Sequence, residues 1–127
     1  MENNMKFTEG YWLLSERTNG QFASQAYHIE AMENGLRVVA PTSPVLSRGD
    51  TLNRPTITIE FLAVSPEVIS VRAWHYEGYR TGEARFEKKE TTCDAVVTIT
   101  ENEAVLDAGR VSVHVDRKNW GYSFWAD

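Results

Sequence analysis

Apolar side chains recur at every second position over short stretches of the chain, the spacing that sends one set to one face of a sheet and the next set to the other. Over Thr56 to Val64 the inward set is Ile57, Ile59, Phe61 and Ala63; over Val68 to Tyr76 it is Ile69, Val71, Ala73 and His75. Ser65, Pro66 and Glu67 punctuate the two runs as a tight turn. Gly35 to Ala40 offers Leu36, Val38 and Ala40, and Arg110 to Asp116 sets Val111, Val113 and Val115 against Ser112, His114 and Asp116.

Turn residues divide these runs into hairpins. Asn34-Gly35 lies between the extended runs Gln25 to Met32 and Leu36 to Ala40, and both residue types tolerate positive φ. A second hairpin is predicted from Ala95 to Glu101 and Glu103 to Ala108 around Asn102; Gly109 then redirects the chain, and Asn119 to Gly121 turns it into Tyr122 to Trp125. Such a succession predicts an all-β protein, an antiparallel sandwich or barrel with little or no helix. Two stretches break the pattern. Pro41 to Pro55 holds three of the four prolines and reads as a long excursion or edge loop. Glu83 to Glu90 has helix-forming residues but Phe86 as its only large apolar side chain, which favours a loop or edge strand.

At 127 residues the chain predicts a single domain, residues 1 to 127, large enough to bury a core without metal or disulfide staples. The formal charge of −5 repels polyanions, so nucleic acid is not an expected partner. No apolar run is long enough for a signal peptide or a membrane span, and the one cysteine, Cys93, has no internal disulfide partner. A cytoplasmic location without membrane contact is expected, with no cofactor and no metal site.

Candidate chemistry is sparse. Cys93 with His28, His75 or His114 supplies the residue types of thiol catalysis, but Thr91-Thr92-Cys93-Asp94 matches no nucleophile motif, and an isolated cysteine more often acts as a small buried hydrophobe. His28 and His114 fall on strand faces beside Glu30 and Asp116, as solvated histidines do, whereas His75 reads as a buried imidazole bonded to backbone. Asp50 with Glu60, or Asp107 with Asp116, are acid pairs whose spacing in sequence establishes no separation in space. The tryptophans Trp12, Trp74, Trp120 and Trp125 either close the ends of the core or, if exposed, stack on sugar rings.

Lys6-Phe7-Thr8-Glu9-Gly10-Tyr11-Trp12-Leu13 has the form K-[IF]-[ST]-[DE]-G-x-W-L, and Ile69-Ser70-Val71-Arg72-Ala73-Trp74-His75-Tyr76-Glu77-Gly78 contains V-R-x-x-H-[FY]-x-G. The first resembles the opening, and the second a pattern in the N-terminal domain, of bacterial glycoside hydrolase family 31 enzymes, particularly the α-xylosidase branch. The order of Val97-Thr98-Ile99, Gly109-Arg110-Val111-Ser112-Val113 and the aromatic stretch Trp120 to Trp125 agrees as well; Pro41 to Pro55 and Glu83 to Glu90 carry no family signature.

This resemblance implies a galactose-mutarotase-like β-sandwich that precedes a (β/α)8 barrel, with both catalytic aspartates in the barrel. A barrel needs about 250 residues, so the chain is expected to be the N-terminal fragment of a multidomain hydrolase acting on α-glycosides, α-xylosidase or α-glucosidase in type. The fragment itself is expected to be inactive. Its partners would be the downstream barrel, through it the α-glycoside substrate, and a second copy joined through strand edges. Arg72, Trp74 and His75 are signature positions with an expected structural role. The alternative is a stand-alone carbohydrate-binding module using exposed Trp12, Trp74, Trp120 and Trp125.

Overall fold

Each alternating segment becomes a strand of antiparallel sheet. The computed structural model describes residues 8–9, 13–52, 54–76 and 93–127. Thr8–Glu9 (β1) and Leu13–Leu14 (β2) pair with each other. His28–Met32 (β3), Gly35–Pro41 (β4), Thr56–Ser65 (β5) and Val68–Trp74 (β6) form one four-stranded meander in that order. Val96–Ile99 (β7), Glu103–Asp107 (β8), Val111–Asp116 (β9) and Gly121–Ala126 (β10) form a second. Their inner faces pack together as a β-sandwich over a core with Leu36, Val38, Ala40, Phe61, Ala104, Leu106, Val113 and Val115 fully buried.

The turns are built by the residues that signalled them, with one change of register. Met32 pairs with Gly35, so the β3–β4 loop is Glu33-Asn34, and Asn34 alone takes positive φ, 54°. Gly35 is instead the first residue of β4, where a Cβ would lie 2.7 Å from the Phe61 carbonyl oxygen. Close backbone approach, rather than turn conformation, demands glycine there. Asn34 also ties the sheets together: its carbonyl accepts from the Ala63 N–H at 2.9 Å and its side-chain Oδ1 from the Ala95 N–H at 3.1 Å.

A second tie lies just past the same end of β5. The Pro66 carbonyl, in the β5–β6 turn, accepts from the Arg110 and Val111 N–H groups at 2.9 and 3.1 Å, and the exposed Arg110–Glu67 ion pair spans the same turns. Gly109, at φ 121°, lets the β8–β9 loop approach Pro66. The proline-rich excursion is a loop holding a short 3-10 turn, Arg48–Thr51, closed by Asp50, whose carboxylate accepts from the Leu46 and Ser47 N–H groups. These bonds hold the Asp50 carboxyl below the ordinary carboxylate range.

The inward set of the Val68 to Tyr76 run needs correction. Val71 and Ala73 share the inner face with their partners Phe61 and Ile59, but both are exposed because β6 is an edge strand the second sheet only partly covers. His75 lies beyond the end of β6 and is exposed, not buried. The same margin opens on the other sheet, where inner-face Tyr122 and Phe124 of β10 stay about half exposed although their rings meet Phe61 edge-on at 5.1 and 6.3 Å. Trp12 and Glu83 to Glu90 lie outside the described residues.

Truncating the centre of this core is expected to be severe: Phe61→Ala should lower the unfolding free energy by about 3–5 kcal/mol in urea denaturation. Gly35→Ala should cost about 1–3 kcal/mol in the same assay, because the added methyl meets backbone that has no rotamer to change.

Candidate functional site

The period-two alternation that buries Val111, Val113 and Val115 turns Ser112, His114 and Asp116 outward on β9. Register then places His114 opposite Val105 of β8 and Ser123 of β10, and Ser112 opposite Asp107 and Trp125. Across this outer face the Ser112 hydroxyl lies 3.2 Å from His114 Nε2, and His114 Nδ1 lies 3.4 Å from Glu103 Oε2. The contact with Glu103 is an ion pair whenever the imidazole is protonated. Trp125 leans over His114 with ring centroids 5.5 Å apart, and its indole N–H donates to the Ser123 hydroxyl at 2.9 Å.

Two turns frame one end of this surface. Thr100 closes the β7–β8 turn, its hydroxyl accepting from the Asn102 and Glu103 N–H groups. Asp116 closes the β9–β10 turn, one carboxylate oxygen accepting from the Lys118 and Asn119 N–H groups at 2.8 and 3.0 Å. Arg117 joins the turns through its own N–H to the Asn102 carbonyl and its guanidinium to the Thr100 carbonyl. Between them and Trp125 runs an open groove of about 570 Å³, lined by Glu103, His114, Asp116, Lys118, Ser123 and Trp125 among others. The N–H groups of Asn119 and Lys118 hold the Asp116 carboxyl below its ordinary range.

The order Ser112–His114–Glu103 has the connectivity of a nucleophile relay, but Ser112 sits mid-strand with ladder partners on both sides, so neighbouring N–H groups are committed to the sheet rather than turned toward an oxyanion. The surface is suited to binding: an aromatic plane flanked by hydrogen-bond donors and acceptors.

Residues singled out by sequence do not converge. Arg72 and Trp74 lie on the outer face of the other sheet, the guanidinium 4.8 Å over the half-buried indole, in line with the cross-strand row Glu30–Arg37–Glu60. Glu60 first and Glu30 second raise the Arg37 pKa. Trp120 is half-buried against the core and meets Tyr122 edge-on at 6.1 Å. Trp125 is 62% exposed. The imagined acid pairs serve separate duties: Asp50 closes its turn, Glu60 holds Arg37, Asp107 accepts from the Gly109 N–H, and Asp116 caps its own loop. Cys93 is buried with its thiol 3.4 Å from the Ala108 carbonyl, the structural role expected of a lone cysteine.

The partner of His114 is Glu103 of the next strand, not the Asp116 beside it in sequence. Glu103, Ser123 and Lys118 were not singled out by sequence; the one available signal was the shared parity of Ser112, His114 and Asp116. Among the described residues no group of three His, Cys, Asp or Glu side chains is placed to hold a metal, and no helix is long and apolar enough to cross a membrane.

By fold, then, the chain is an antiparallel β-sandwich with a groove on the outer face of one sheet. Over most of its length it is similar to the α-xylosidase XylQ of Lactiplantibacillus pentosus, 35% identical over 113 residues. That alignment takes in 86% of this chain but 14% of the enzyme, so the chain spans a small part of that relative. No protein-family profile matches it.

Asp116 yields a pH prediction. Because its carboxyl is depressed in the folded state, its support of the β9–β10 turn is present above the unfolded value and lost as pH falls through the lower folded one. In a carbon-detected NMR titration the Asp116 carboxyl should titrate below the ordinary 3.8. Asp116→Asn should remove that step from the acid unfolding curve.

Proposed function

We propose that this chain is the N-terminal, non-catalytic sandwich domain of a retaining family 31 α-glycosidase, of the α-xylosidase type and cytoplasmic. The observation that carries this reading is the 35% identity along 86% of the chain to 14% of an α-xylosidase. In such an enzyme one carboxylate attacks the anomeric carbon and a second carboxyl protonates the leaving oxygen, after which water resolves the glycosyl-enzyme. Both groups belong to the barrel in this reading. The sandwich packs against the barrel and helps shape the substrate site, with Arg72, Trp74 and His75 as positions of structure rather than substrate contact. The half-exposed inner-face residues Val71, Tyr122 and Phe124 offer apolar surface of the kind a neighbouring domain covers.

The alternative, a free-standing sugar-binding module built on several tryptophans, draws support at Trp125; Trp74 lies under Arg72 and Trp120 packs against the core. Edge strands β3, β6, β7 and β10 remain the proposed route to a homo-oligomer.

Reading the coding DNA beyond the Asp127 codon tests the proposal. An open frame of about 250 residues or more with a barrel pattern is expected, and a stop codon there would overturn it. The purified 127-residue chain should show no turnover of an aryl α-xyloside above a matched blank.

A further inference from the structure

Trp125 presents a large flat ring to solvent at 62% exposure, on edge strand β10, which pairs along its length with β9. The Ser123 hydroxyl satisfies the indole N–H at 2.9 Å, and the His114 ring supports the indole from below, so the platform is ordered before any ligand arrives. A flat aromatic face next to a solvated polar groove suits a ligand with one apolar face and a polar rim. The groove supplies that rim with carboxylates from Glu103 and Asp116 as acceptors and with Lys118 and Asn119 as donors.

Pyranose rings have this character, with axial C–H groups on one face and hydroxyls around the edge. Nucleotides share the flat face through their base but carry phosphate, which the chain's charge of −5 and the groove's two carboxylates repel. An open groove of about 570 Å³ fits several linked sugars better than one enclosed ring. We propose that the groove beside Trp125 is a non-catalytic binding site for neutral oligosaccharides, held by indole stacking and by hydroxyl bonds to Glu103 and Asp116. This rests on and deepens the glycosidase reading by placing a second, substrate-class site on the sandwich. It is read by binding alone.

The test titrates the 127-residue chain with neutral xyloglucan oligosaccharides, following tryptophan fluorescence and the backbone amide resonances of β9 and β10. A saturable change centred on those strands is expected. Trp125→Ala should weaken binding about ten-fold or more and Trp125→Phe less, since a smaller ring keeps part of the stacking. Glu103→Gln should weaken it several-fold. Urea midpoints of the Trp125 variants should match the parent chain, which separates lost binding from lost fold. Absence of a saturable change, or equal binding by Trp125→Ala, would overturn the site; equal binding of oligogalacturonate or adenosine monophosphate would overturn its ligand class. A reading frame without a barrel would remove the glycosidase proposal and leave this titration unaffected.

Discussion

Phe61 sits where the two sheets must meet, and the rest of the molecule is arranged around keeping its face dry. Sheet packing fixes the parity of every strand, because a slip by one residue would turn Ile59, Phe61 and Ala63 to solvent and Thr58, Glu60 and Leu62 inward. Two polar ties prevent that slip from outside the core: the Asn34 side chain reaching Ala95 and the Pro66 carbonyl accepting from Arg110 and Val111. Both lie in turns, where backbone groups otherwise lack ladder partners. Turn chemistry and inter-sheet registration are therefore the same set of bonds.

Charge is kept off this interface altogether. Among the described residues no polar or charged side chain is buried, and the ionic groups line up instead across the outer face of the first sheet as Glu30, Arg37 and Glu60, each one strand apart. On a half-exposed surface such a row contributes little to stability. It does fix which neighbours each strand accepts, since opposite charges face each other and like charges do not.

Strands and hairpins were legible because period-two alternation is a local signal with one face buried, as in β4 and β9. Legibility failed where burial depended on a partner rather than on the strand itself. Val71 alternates correctly in β6 yet stays exposed, since edge position is a property of the sheet. The tryptophans failed for the same reason: Trp125 and Phe124 are adjacent and both aromatic, so pattern alone could not assign which faces the core. Nor could sequence pair His114 with Glu103, a contact eleven residues apart that exists only through the β8–β9 register.

That ambiguity in β10 reflects how the strand is used. Its inner face, Tyr122 and Phe124, completes the margin of the core around Phe61, and its outer face, Ser123 and Trp125, forms a wall of the groove. An aromatic side chain on the outer face adds little to a core it does not touch, so core packing does not dictate its identity. The inner aromatics anchor the strand, and the anchored strand holds the indole in one orientation over His114. The core margin and the groove wall are thus separated by the parity of one edge strand: removing Phe61 would disturb both faces, whereas removing Trp125 would disturb one.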